Sequence, residues 1–245
     1  VASLAVTDDL EKTLPTPSER APVGAGLILC IWVALTIALQ AVVWVSGFKP
    51  QYLADAVEFG AARAEYFRVG EASVDVVRKA IRLQRETLPF WTTLARLGDF
   101  AFEPVMLCLR TLSIATMFAA FAALTGRTIG FMAGLRASAL LQGYWVVSLA
   151  LRVALTILLR RPEVETSMAL ILPPGGYPAA LVVGLRQLDP FFLLGWFCLA
   201  LGGWRRGQIN LFMAFAICFG LAISEATVRI ACTLVMGAGM RLSVF

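Results

Sequence analysis

The chain has 245 residues, 59% of them hydrophobic and 15% charged, with a formal net charge of +5. Soluble domains run nearer about half apolar and about a quarter charged, so an apolar excess gathered into long runs makes the bilayer much of the solvent. No basic domain stands apart from those runs. The positive balance therefore reads as attraction to anionic lipid headgroups and argues against nucleic acid as a partner.

Histidine is absent, which removes the commonest general base, proton shuttle and metal ligand. Cys30, Cys108, Cys198, Cys218 and Cys232 all fall inside apolar runs without C-x-x-C spacing, so they read as small hydrophobes, with neither a disulfide nor a zinc site. There is no G-x-S-x-G elbow and no phosphate-cradling glycine loop, and Gly237-Ala238-Gly239 makes no nucleotide fingerprint. The expectation is a protein without catalysis, cofactor or metal.

Taken in order, residues 1–23 are polar, acidic and proline-bearing. They lack the basic start of a signal peptide and read as a flexible tail before a retained span. The first transmembrane helix is expected over 24–48, long enough for the roughly 20 residues a hydrocarbon core requires, with Trp32 and Trp44 near the interfaces. Residues 49–98 differ in kind. Val74, Val77, Ile81 and Leu88 recur at helical spacing beside Arg78, Lys79, Arg82 and Arg85. Three arrangements fit this segment: basic amphipathic helices lying on the membrane surface with the arginines toward lipid, a solvated helical hairpin packed on the spans, or a partner-binding arm. Asp75 and Lys79 are spaced for an i, i+4 pair.

Residues 99–245 form a four-span core. The second span runs from about Phe100 to Leu124, with Glu103 and Arg110 on one face and Pro104 permitting a bend. The third runs from about Phe131 to Leu159, and Gly130-x-x-x-Gly134 offers it a small-residue packing face. Arg136 and Arg152 lie near enough to its ends to reach water by snorkelling. Asp189-Pro190 is a helix start, since aspartate accepts from free backbone N–H groups and proline suits the first helical position. The fourth span begins there, and the segment from Pro178 to Leu188 is either an interfacial half-helix or the first part of a broken one. The fifth span, about Ile209 to Ala238, carries Glu225 and Arg229 near its middle. Charges at that depth cost about 2.5–3.5 kcal/mol each on insertion scales, and the i, i+4 spacing lets these two pair. The fold class is thus all-α, a polytopic bundle of about five spans with an amphipathic interfacial segment.

Several stretches resemble the Yip1 family of multi-span membrane proteins. They are Phe131-x-x-x-Leu135-Arg136-Ala137-Ser138-Ala139, Ala169-Leu170-Ile171-Leu172-Pro173-Pro174 and, above all, Leu185-x-x-Leu188-Asp189-Pro190-Phe191 with Trp196 and Leu199-Ala200-Leu201-Gly202 beyond it. The resemblance covers about half the chain. It implies five helices and a cytosolic N-terminus; counting Lys and Arg instead places the 49–98 segment and the Arg160-Arg161 loop in the cytoplasm. Eukaryotic members bind prenylated small GTPases, but their D-L-Y-G-P motif is missing here, which points to the prokaryotic branch and to a bacterial inner membrane.

The candidate polar intramembrane residues are Glu103, Arg110, Asp189, Glu225 and Arg229. The candidate lipid contacts are Arg78, Lys79, Arg82 and Arg85, and the candidate packing residues are Gly130 and Gly134. Three functions follow as expectations. The first is a membrane organiser or scaffold acting through helix–helix and lipid contacts. The second is an accessory subunit of a larger energy-transducing complex; the expected partners are membrane lipids and other membrane proteins, in a hetero-complex or a homo-oligomer. The third is a small transporter with a polar path through Glu225 and Arg229.

Overall fold

The computed structural model describes residues 24–68, 74–127, 130–161, 164, 166–172 and 179–241; the N-terminal tail and Pro173-Pro174 lie outside them. Ten α-helices are present among these residues. They are α1 (Ala25–Val45), α2 (Phe48–Arg68), α3 (Val74–Glu86), α4 (Leu88–Leu97), α5 (Glu103–Leu124), α6 (Phe131–Leu141), α7 (Gly143–Leu159), α8 (Ala179–Gln187), α9 (Pro190–Arg205) and α10 (Leu211–Arg241). A π-helical turn over Gly98–Phe102 joins α4 to α5, and a 3₁₀ turn covers Met168–Ile171. Four helical stretches are long and apolar enough to cross a membrane, and a fifth forms if α8 and α9, bent by 51° at their junction, count together.

The distribution of side chains inverts that of a soluble protein. Phe212, Phe219, Leu109 and Leu112 face outward while Arg110, Thr111, Gln142 and Glu225 are buried. Water would penalise this exchange at every position, whereas lipid favours an apolar exterior and leaves polar groups to satisfy one another inside. The chain is a helical multi-span membrane protein.

Helices α5 and α10 run antiparallel. Arg127 at the end of α5 donates to the Gly207 carbonyl before α10, and Glu103 at the start of α5 meets Arg229 late in α10. Gly207 has a φ of +69° and closes α9 by donating to the Trp204 carbonyl. That left-handed position suits glycine because it carries no Cβ. Around this end sits the apolar core: Ile114 and Phe118 of α5, Trp196, Leu199 and Ala200 of α9, and Ala214 and Cys218 of α10.

The third span, Phe131–Leu159, runs through a single irregular residue. α6 stops at Leu141 and α7 starts at Gly143, with buried Gln142 between them. A methyl at Gly143 would come within 3.0 Å of the Trp32 ring, so Trp32 packs in mid-bundle instead of at an interface. Of the expected Gly130–Gly134 face, Gly134 is buried inside the bundle and Gly130 is exposed. Gly130 is the N-cap of α6, outside the helix, and faces open space except for Ala133; Gly134 abuts the Gln208 side chain. The tight helix contacts are made elsewhere, where methyls at Gly195 and Gly203 would fall 2.6 Å from the Trp145 ring and 2.3 Å from the Phe118 ring.

Within residues 49–98, α2 and α3 lie against each other as a helical pair. α2 and α3 pack together, burying Leu53, Val57, Ala61 and Gln84, and Arg85 grips Glu58 with two bonds of 2.8 Å. That guanidinium holds the exposed Glu58 carboxyl below its ordinary pKa. Val74–Leu124 forms one helical run of 51 residues, far more than the roughly 20 needed to cross a bilayer. Arg78, Lys79 and Arg82 are exposed on its first turns, and Asp75 and Lys79 do not pair.

Candidate functional site: a charged cavity between the helices

Charges in the interior gather at one end of the bundle, around a cavity of about 510 Å³. Its walls come from α1, α2, α5, α7, α8, α9 and α10, and three ion-paired groups stand on them.

The deepest group begins at Arg110. Its Nε donates to Glu225 at 2.7 Å, its Nη2 donates to the other oxygen of the same carboxylate, and its Nη1 donates to Gln142 Oε1 at 2.8 Å. Its guanidinium also lies 4.0 Å from the centre of the Trp145 ring, an arrangement that adds attraction where water is excluded. Glu225 accepts in turn from Arg229 Nε at 2.9 Å, and Arg229 reaches Glu103 with two bonds of 2.5 and 2.9 Å. Two guanidiniums and two carboxylates thus alternate in a chain of zero net charge. Each planar fork meets a carboxylate on both prongs, the geometry that best repays desolvation of an ion pair. The i, i+4 pair read from the sequence is present, but its partners on α5 make it a four-member network.

The second group is centred on Asp189. Its Oδ1 caps α9 by accepting from the Phe191 N–H at 2.8 Å, as Asp-Pro at a helix start implies. Its Oδ2 accepts from Arg152 at 2.5 Å, Thr166 at 3.0 Å and Ser148 at 3.3 Å. Arg152 therefore turns inward to the bend between α8 and α9 instead of snorkelling outward. Asp189 does two jobs, starting a helix and pinning it to α7.

The third group lies at the mouth. Lys49 pairs with Asp99 at 3.1 Å, and the Trp44 indole N–H donates to the same carboxylate at 3.0 Å. Trp44 is placed as an interfacial residue would be, with Arg96 over its ring.

Depth follows from helix geometry. From Arg110 to Leu124 is a rise of about 21 Å, so within a core of about 30 Å the Arg110–Glu225 pair sits roughly two-thirds of the way toward the side of the 46–102 segment. Beyond it, toward the 126 and 207 turns, the apolar core closes the bundle. The cavity thus lies toward the 46–102 segment, and the apolar core fills the other end of the bundle.

Of the residues singled out in the sequence, Glu103, Arg110, Glu225 and Arg229 come together, and Asp189 forms a separate wall. Arg78, Lys79, Arg82 and Arg85 stand apart on α3. Sequence reasoning missed Gln142, Gln40, Lys49 and Asp99. Gln142, a polar residue just before a glycine inside an apolar run, was the one legible signal. Among the described residues no group of His, Cys, Asp and Glu side chains is arranged to hold a metal ion. Comparison of the chain with protein-family models, with curated proteins and with solved structures finds no match.

Proposed function

We propose that this membrane protein is a non-catalytic organiser that draws the polar end of a membrane molecule into its one-sided cavity. The observation carrying this reading is the cavity itself: a space of about 510 Å³ walled by ion pairs, within the roughly 300–1,000 Å³ of ligand sites. Charges buried only to hold helices together would be better packed against, because lipid-filled or empty space beside them is costly. Kinship with the Yip1 family belongs to the same proposal. The segment carrying that resemblance supplies Asp189, and with it the cavity wall joining α7 to α9.

The transporter reading is less well supported. Glu225 and Arg229 are locked in the four-member network, and the helices beyond them meet through Ile114, Phe118, Leu199 and Cys218. No observation singles out the accessory-subunit reading.

One experiment separates these. The five native cysteines are replaced by alanine, Gln40→Cys or Leu109→Cys is added, and proteoliposomes are treated on either face with a charged, membrane-impermeant thiol reagent. The organiser reading expects Gln40→Cys to react from the face of the 46–102 segment alone and Leu109→Cys from neither. Reaction of Gln40→Cys from both faces would establish a through path, and reaction from neither would remove the hydrated cavity altogether.

A further inference from the structure

The end of the bundle toward the Gly126 and Gly207 turns holds one polar spot beside its apolar core. Gln208, just after the Gly207 turn, is 3% exposed, and Ser138 of α6 is 1% exposed. Among the described residues, neither the Ser138 hydroxyl nor the Gln208 carboxamide oxygen has a hydrogen-bond partner. They do not bond each other. Lipid cannot satisfy either of them, and a buried polar group left unpaired is costly.

Both residues border a small space at Gly134. A Cβ built there lies 3.2 Å from Gln208 Nε2 and, its chain neighbours and own helix backbone aside, within 4 Å of nothing else. Gly195 and Gly203 differ, because aromatic rings already fill the room beside them. Ser138 is one turn further along the same face of α6, its Cβ about 5–6 Å from that of position 134.

The chemistry of the spot selects its occupant. A carboxamide oxygen needs a donor, and a hydroxyl needs an acceptor for its proton. Neither group is charged. An apolar molecule would answer neither need, an anion would face the carboxamide oxygen, and a cation would leave the hydroxyl proton unanswered. We infer that an ordered water occupies the space between Gly134, Ser138 and Gln208. It donates to Gln208 Oε1 and accepts from the Ser138 hydroxyl, in keeping with internal waters that bind otherwise unsatisfied buried groups.

This site stands at the foot of a polar row. Ser138, Gln142, Trp145, Ser148 and Arg152 recur every three or four positions, so they share one face of α6 and α7, and the last three line the cavity. Gln142 connects the two ends, donating to the Ser138 carbonyl at 3.4 Å and accepting from Arg110. The water site is independent of what the cavity holds. It gives Gly134 a specific role, since a side chain there would take the water's place.

The test is water-edited solid-state NMR on the full-length protein in proteoliposomes, with isotope-labelled serine, glutamine and isoleucine. Spectra of Ser138→Ala and Gln208→Leu assign the two residues. Magnetisation from water should reach the Ser138 and Gln208 side chains while Ile114, fully buried in the apolar core, receives none on the same timescale. Gly134→Ala should abolish the transfer to both residues and leave the rest of the spectrum in place. Transfer to Ser138 and Gln208 no faster than to Ile114, or transfer that survives Gly134→Ala, overturns the water site. Should Gly134→Ala fail to fold, Gln208→Leu carries the same test: Ser138 is expected to lose its water signal, and its retention overturns the shared site.

Discussion

Toward the turns at Gly126 and Gly207, α5 and α10 meet through Ile114, Phe118, Ala214 and Cys218. Toward the opposite end the same two helices meet through Glu103, Arg110, Glu225 and Arg229. The first contact is apolar and close, and beside it Gly203 of α9 lets the Phe118 ring of α5 approach its backbone. The second is polar and leaves room. In a bilayer the apolar contact gains no hydrophobic advantage, since lipid tails are as apolar as leucine, so it is stabilised by packing quality alone. The polar contact is stabilised because each charge finds its partner only in the assembled bundle. One pair of helices is thus zipped by shape at one end and by charge at the other.

Breaking the polar end should have the largest effect. Arg110→Ala leaves Glu225 with Arg229 as its remaining cation and takes the donor from Gln142 Oε1, and a loss of up to about 3–5 kcal/mol is expected for a buried pair deprived of one partner. Reversible unfolding in bicelles measures it. In the double variant Arg110→Ala with Glu225→Ala the effects should be far from additive, the coupling expected of residues in one network. An additive result would mean that the four charges act independently.

At the apolar end Gly203→Ala places a methyl against Phe118. Overpacking of this kind costs about 1–3 kcal/mol. Phe118→Leu in the same chain should recover much of the loss, and its failure to do so would place the strain elsewhere. Asp189→Ala comes next, at about 0.5–2 kcal/mol for the lost cap, seen as faster amide exchange in the first turn of α9. Asp189→Asn, which keeps an oxygen for the Phe191 N–H but lacks the charge, should spare that turn and still loosen Arg152.

The smallest effect lies outside both halves, in the α2–α3 hairpin. The depressed pKa of Glu58 means that its pairing with Arg85 stabilises the hairpin fully above the ordinary carboxylate range and is lost as pH falls through the depressed value. Carboxyl NMR titration should show the Glu58 pKa rising toward its ordinary value in Arg85→Gln. An unchanged titration would show that the exposed pair has little hold on the carboxyl.

The spans themselves were legible because their signal is local. A run such as Leu211–Val235 needs only its own composition to mark it as membrane-compatible, and Asp189-Pro190 needs only its neighbours to start a helix. Gly130-x-x-x-Gly134 was legible at Gly134, which is buried, and not at Gly130. Spacing shows which residues share a face of a continuous helix, but Gly130 is a cap and the helix begins after it. The interfacial segment could be read as amphipathic, yet whether lipid or another helix covers its apolar stripe depends on α2, which carries no comparable periodicity.

Sequence alone determined the medium, the approximate spans and the rarity of the buried charges, because hydrophobicity and desolvation act residue by residue. The tertiary structure alone decided which charges answer one another. Arg110 and Glu225 are 115 positions apart, and neither carries a local mark of the other. Their pairing, the Gln142 carboxamide that accepts from Arg110 beside it and the cavity left between three ion-paired groups exist only once antiparallel helices set opposite charges at the same depth.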